Sequence, residues 1–114
     1  MSNPEFQPEK HEISPRELKN KLDQDQQLVL LDVREPSEYE IVHLEGATLI
    51  PLNDLRQNVD QLNPQSEIIT YCHHGMRSLH AAAFLYQSGL QNVKSLAGGI
   101  DLWAAEIDST LSRY

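Results

Sequence analysis

The sequence predicts an α/β layer fold with a mainly parallel sheet. Strand-like apolar runs alternate with segments of helical periodicity along the whole chain. The longest run is continuous rather than alternating, as suits a strand covered on both faces. It ends in charge, and a later run ends in a glycine pair, both natural places to turn into a helix. With 114 residues the chain has the length of one domain. Surface scaling at that size buries roughly two-thirds of the unfolded surface, enough for a core without staples.

The elements follow in order. Residues 1–11, with Pro4 and Pro8 among polar neighbours, read as a flexible lead-in, and residues 12–114 as the domain. Ser14 is an N-cap, Pro15 suits the first helical position, and Glu17 completes a capping box. Ile13 and Leu18 stand where a hydrophobic staple places them, and a helix runs to about Asp23. Leu28–Val33 is the continuous strand. Pro36 opens a short helix through Val42, Ala47–Ile50 is a short strand, and Pro51 starts another helix. There Leu52, Leu55, Val59 and Leu62 form one apolar stripe, which Asn63-Pro64 ends. Ile68–Tyr71 is the next strand. A helix rich in Ala and Leu follows from Arg77 to Ser88, closed by Gly89 with Leu90 behind it. Val93–Leu96 is the last strand, Gly98-Gly99 a tight turn, and Ile100–Ile107 a final helix that carries Trp103 into the core.

Composition excludes several classes of function. Nine basic against seventeen acidic residues give a formal charge of −8, which disfavours nucleic acid or an anionic membrane as partner. No apolar run approaches the roughly 18 residues of a membrane span, and the polar, acidic start lacks the apolar core of a signal peptide. One cysteine, Cys72, excludes an internal disulfide and any multi-cysteine metal site. The expectation is a soluble protein of a reducing, cytoplasmic compartment.

Cys72 follows a strand directly, and a helix opens a few residues later. Ligands of open α/β sheets bind beyond the carboxyl ends of strands. The loop His73-His74-Gly75-Met76-Arg77, with Ser78 behind it, has a glycine where the backbone must turn sharply. Such a loop aims successive N–H groups at one point, the helix N-terminus adds partial positive charge, and Arg77 adds a full one. A thiol there is expected to ionise readily and to hold an anion on or near its sulfur. A buried structural cysteine is the alternative, but it has no need of Gly75 and Arg77 at these offsets. Phosphate fits poorly, because the cysteine-phosphatase signature has one more residue between Cys and Arg than the four found here. A metal on Cys72, His73, His74 and His80 fits poorly too, because neighbours in sequence do not all turn to one tetrahedral centre. A sulfur atom carried as a persulfide on Cys72 fits best.

At this point the residues resemble a family. Tyr71 to Ser78 resembles the active-site loop of the rhodanese sulfurtransferases. Asp32-Val33-Arg34-Glu35-Pro36-Ser37-Glu38-Tyr39 is similar to their upstream signature. His43 to Ala47 with Ile50-Pro51-Leu52 is similar to the entry to their second strand, and Leu96 to Ile100 with Trp103 to their closing motif. The resemblance implies a central parallel sheet of about five strands with helices on both faces. It implies catalysis by Cys72, a persulfide-binding loop of His73, His74, Gly75, Met76, Arg77 and Ser78, and no metal or other cofactor. Inactive members of the family usually carry another residue where Cys72 stands. The implied partners are a small sulfane-sulfur donor, a thiol or cyanide acceptor, and a protein as donor or acceptor. Asp32 and Arg34 end a strand on the edge that bears Cys72; they either support the loop or form an exposed salt-bridged pair. His73 and His74 either meet an anionic donor or face water, and His43 and His80 are structural. The ending from Ile107 to Tyr114 looks like that of rhodanese domains attached to adenylating enzymes.

Overall fold

In the computed structural model, which describes residues 6–114, the apolar runs become the strands of one parallel sheet. The strands are β1 (Glu12–Ile13), β2 (Leu28–Asp32), β3 (Thr48–Leu49), β4 (Glu67–Tyr71) and β5 (Val93–Leu96), in the spatial order β1-β5-β4-β2-β3. The helices are α1 (Pro15–Asp23), α2 (Pro36–Ile41), α3 (Leu55–Asn58), α4 (Met76–Gln87) and α5 (Gly99–Glu106).

Side chains alternate across the sheet, so each continuous apolar run supplies two cores at once. Leu31 and Ile68 face one side, with Leu55 of α3 and Ala81, Ala82 and Leu85 of α4. Leu30 and Ile69 face the other, with Leu18 of α1 and Ile100 and Trp103 of α5. The central strands therefore read as unbroken apolar sequence. Helices cover both faces, as expected.

Local chemistry explains the element ends. Ser14 Oγ accepts from the Glu17 N–H at 3.1 Å, and the Ser14 N–H donates to Glu17 Oε1 at 3.2 Å, which is the capping box. At the far end of α4, the Leu90 N–H reaches the Leu85 carbonyl at 2.9 Å beyond Gly89.

Four expectations need correction. The strand β1 was not anticipated: Ile13 pairs with Leu96 of β5 as well as stapling α1. The strand at Ala47–Ile50 shortens to Thr48–Leu49 at the sheet edge. The helices placed at Arg77–Ser88 and Ile100–Ile107 each begin and end one residue earlier. The stretch from Pro51 to Leu62 is not one helix. It is a 3₁₀ turn (Leu52–Asp54), the single turn α3, and a second 3₁₀ turn (Val59–Gln61). Asn58 Nδ2 donates to the Asp54 carbonyl at 2.7 Å, folding the side chain back over its own turn. The apolar stripe survives this break, because Leu52, Val59 and Leu62 still pack on the α4 face with Leu55. Of the lead-in expected over residues 1–11, residues 1–5 lie outside the described residues. Residues Pro8–Lys10 form a 3₁₀ turn, and Phe6 stacks on His11 and meets the edge of Tyr86.

The carboxyl ends of β2, β4 and β5 come together at one edge, bearing Asp32, Cys72 and the Gly98-Gly99 turn. The start of α5 is pressed under the Cys72 loop, since the Ile100 N–H donates to the Cys72 carbonyl and the Asp101 N–H to the His73 carbonyl. Gly99 has φ +63, and a Cβ there would lie 2.5 Å from the Cys72 carbonyl oxygen. A Gly99→Ala variant is expected to lose about 2 kcal/mol, seen as a fall in Tm of roughly 10 °C. An unchanged melting curve would show that α5 and the loop are not so tightly apposed.

Candidate active site

Cys72 leaves the end of β4 at the sheet centre, with a side chain 2% exposed. Its Sγ accepts the Gly75 N–H at 3.1 Å and the Ser78 N–H at 3.3 Å, and lies 3.5 Å from Ser78 Oγ. Gly75 makes this possible: its φ of +112 reverses the chain so that its own amide and that of Ser78 point at one sulfur. The serine is itself fixed. Ser78 Oγ lies 2.7 Å from Ser95 Oγ of β5 and donates to the Gly75 carbonyl at 3.2 Å, and Thr70 Oγ1 donates to the Ser78 carbonyl at 2.8 Å. Two backbone N–H groups thus point at the sulfur, and Ser78, which supplies one of them, is held by the strand residues Thr70 and Ser95.

The charge on Arg77 goes elsewhere. Its guanidinium forks onto Glu38 of α2, at 2.7 and 2.9 Å. This bidentate pair ties the start of α4 to α2 and closes the loop from the side. The Arg77 hydrogen bonds hold the Glu38 carboxyl well below the usual carboxylate range, at about 2.

Asp32 and Arg34 are not an exposed pair; both side chains are 0% exposed. Arg34 donates from Nε to Asp32 Oδ1 at 2.9 Å and from Nη2 to Asp32 Oδ2 at 2.7 Å. Nη2 also reaches the Val42 carbonyl at 2.6 Å, and Nη1 reaches the Tyr114 hydroxyl at 2.7 Å. Burial opposes the guanidinium charge, and the Asp32 and Tyr114 hydrogen bonds more than offset it, so the proton is held more tightly than usual. Asp32 pairs with Tyr71 in the sheet, next to Cys72, so this ion pair underlies the site rather than lining it.

His73 is half-buried, with its ring between those of His74 and Tyr114 at centroid distances of 3.9 Å each. Burial, then the neighbouring His74, pushes its imidazole below the ordinary value. Its Nε2 is buried without a hydrogen-bond partner. His74 is exposed and lies 3.7 Å from Asp101. His73, His74 and Asp101 bring ligand-type atoms within 4.8 Å of one another, but Arg113 already binds both Asp101 oxygens. This cluster includes neither Cys72 nor His80. His80 is exposed on α4, and His43 stacks on Tyr39 and lines a cleft with Trp103, remote from the loop in sequence. Met76 is 69% exposed at the rim of the loop. The residues that sequence reasoning assigned no role are Glu38, Ser95 and Tyr114. Glu38 lies inside the recognised upstream motif, so a signal existed; Ser95 and Tyr114 join the site only through folding.

The Glu38 carboxyl titrates lower in the fold than the ordinary 4.5, so its contribution is present above that pH and is lost as pH falls toward about 2. With one partner half-exposed to solvent, the pair contributes on the order of 2 kcal/mol at neutral pH. Glu38→Gln is expected to remove that increment and to flatten stability between pH 4.5 and 2. Urea titrations across that range would reveal a parallel, undiminished acid limb if the pair does not act this way.

Comparison with known proteins fits this geometry. The family model of the rhodanese-like domain matches residues 14–106. The chain is 38% identical over 104 residues to the "probable adenylyltransferase/sulfurtransferase MoeZ" of Mycobacterium tuberculosis, a match over 90% of this chain and 26% of that protein. The chain therefore spans about a quarter of that relative. It is 31% identical over 78 residues to the thiosulfate sulfurtransferase GlpE of Coxiella burnetii, covering 68% of this chain and 73% of the relative. A rhodanese-related protein from Thermoplasma volcanium superimposes with a TM-score of 0.78 at 32% identity, over 85% of this chain and 93% of that one. By the match of the family model over most of its length, the chain belongs to the rhodanese-like domain family.

Proposed function

We propose that this chain is a sulfurtransferase that carries sulfane sulfur as a persulfide on Cys72. One observation carries the reading: a lone thiol at the carboxyl edge of the sheet accepts two backbone N–H groups from the loop and helix that follow it. Those donors suit an anionic sulfur, because they are already oriented and need no rearrangement as charge develops.

The reaction has two displacements. The Cys72 thiolate attacks the outer sulfur of a donor such as thiosulfate, the donor's S–S bond breaks, and sulfite leaves with the electron pair. Cys72 now carries an outer sulfur as an anion. An acceptor nucleophile then takes that sulfur, giving thiocyanate from cyanide or a persulfide from a thiol, and the Cys72 thiolate returns. No net oxidation occurs, so no metal or cofactor is called for. The Gly75 and Ser78 amides stabilise the sulfur anion in both states, Glu38–Arg77 holds the loop closed, and Asp32–Arg34 braces it from below. Two cations on the loop would favour thiosulfate; here Arg77 is the single permanent one, and Glu38 offsets it. This supports a persulfide, rather than thiosulfate, as the donor in the cell. The likeness to an adenylyltransferase/sulfurtransferase supports a protein as donor or acceptor, in a reducing compartment. Among the described residues no helix is long and apolar enough to cross a membrane.

A non-catalytic docking module is the rival reading. It has no use for a thiol with its lone pairs already met by amides.

Cys72→Ser is expected to abolish thiosulfate:cyanide transfer with an unchanged far-UV spectrum, and turnover near the native level would end the mechanism. The chain has no second cysteine to resolve a persulfide internally. Intact mass after a sulfur donor is therefore expected to show one added sulfur, stable in thiol-free buffer and removed within minutes by dithiothreitol. Rapid spontaneous loss at high dilution would mean that the loop does not protect it.

A further inference from the structure

After α5 the chain runs without regular structure back toward the Cys72 loop. Leu111 packs on the core beside Trp103, Arg113 holds Asp101 through two hydrogen bonds of 2.9 and 3.1 Å, and Tyr114 reaches the loop itself. Tyr114 makes contact with both sides of the loop. Its ring lies flat on His73, the residue after Cys72, with centroids 3.9 Å apart and planes at 9°. Its hydroxyl accepts from Arg34 Nη1 at 2.7 Å and donates to Glu38 Oε1 at 3.0 Å, the oxygen that also receives Arg77 from the other end of the loop. Tyr114 thus touches the residue after the thiol through its ring and the partner of Arg77 through its hydroxyl, so it brackets the loop at both ends. Cys72 within the loop is 2% exposed.

We propose that Tyr114 is a specificity-determining residue, a strap across the mouth of the Cys72 site that passes small reactants and holds back large ones until it lifts. This rests on Cys72 being the sulfur-bearing residue. Several features mark the strap as reversible. Tyr114 is 39% exposed and the Arg113–Asp101 pair is a surface one, so both belong to the weakly held part of the fold. The hydroxyl anchors are charge-assisted and directional, which gives a definite closed position. Closure also leaves His73 Nε2 buried and unpaired, which disfavours it. A reactant that needs the open position reacts in proportion to the fraction open, whereas one that slips past the ring does not.

The test is alkylation of Cys72, the only thiol of the chain, by iodoacetamide and by the much larger fluorescein maleimide. Labelling reads access whether or not Cys72 ever carries sulfur, so it fails separately from the sulfurtransferase reading. Tyr114→Ala, which removes the ring as well as both hydroxyl anchors, is expected to speed the maleimide about tenfold and the iodoacetamide less than about twofold. Tyr114→Phe keeps the ring and loses both anchors, and is expected to shift the ratio in the same direction by a smaller factor. An unchanged ratio in both variants would overturn the strap. Equal acceleration of both reagents would overturn it too, because that reports a loosened loop rather than a lifted ring.

Discussion

A guanidinium group with no exposure to water needs an acceptor in nearly every direction, and Arg34 dictates much of this site by that demand. Asp32 meets two of its nitrogens, the Val42 carbonyl shares one of them, and Tyr114 meets the third. Each acceptor lies on a different segment: the end of β2, the exit of α2 and the end of the chain. Satisfying one buried charge therefore ties down the end of α2. That places Glu38, Glu38 places Arg77, and Arg77 sets the far side of the loop whose amides face Cys72. Removing either partner of the buried pair would strand an uncompensated charge, so the arrangement tolerates no partial version.

The site stabilises sulfur with dipoles rather than with free charge. The loop's one arginine, Arg77, is matched by Glu38, and the sulfur's own partners are the Gly75 and Ser78 N–H groups, with the Ser78 hydroxyl oxygen 3.5 Å away. Oriented amides hold an anion without also binding every anion that diffuses past, which an unpaired arginine at the mouth would do. They also remain in place when the sulfur is neutral, since the same groups are fixed by Thr70, Ser95 and the turn of α4.

How much of this was readable depends on how local each signal is. The capping box at Ser14, the Gly89 stop and the central strand runs are written in neighbouring residues and formed close to where they were read, while the edge strand expected at Ala47–Ile50 shortened. The Cys72 loop was equally legible, because its geometry rests on Gly75 and on a helix that starts directly behind it. Strand β1 was not, since two residues carry no periodicity and Ile13 owes its strand character to pairing with β5. The broken helix after Pro51 escaped notice because an apolar stripe is met by 3₁₀ turns as well as by an α-helix. The burial of Arg34 ran against the ordinary expectation for arginine. It is paid for by contacts across the chain, the farthest 80 residues away, and no local pattern announces it.

The same distance dependence separates chemistry from access. The groups that touch the sulfur, the Gly75 and Ser78 amides and the Ser78 hydroxyl, lie within six residues of Cys72, on the loop after β4 and the first turn of α4. Glu38, His73 and Tyr114 lie farther out, on a short helix with no buried residue, at a half-buried loop position, and on a stretch without regular structure. Rigid placement is needed where a developing charge must find its donors already aligned. Looser placement suits the rim, where reactants of different size must enter and leave around a thiol that has no partner thiol of its own to discharge to. A fold with its one thiol at the centre of the sheet and its rim on marginal elements meets both requirements, and the two are linked, because Tyr114 at the rim is held by Arg34 and Glu38, the groups that also position the loop.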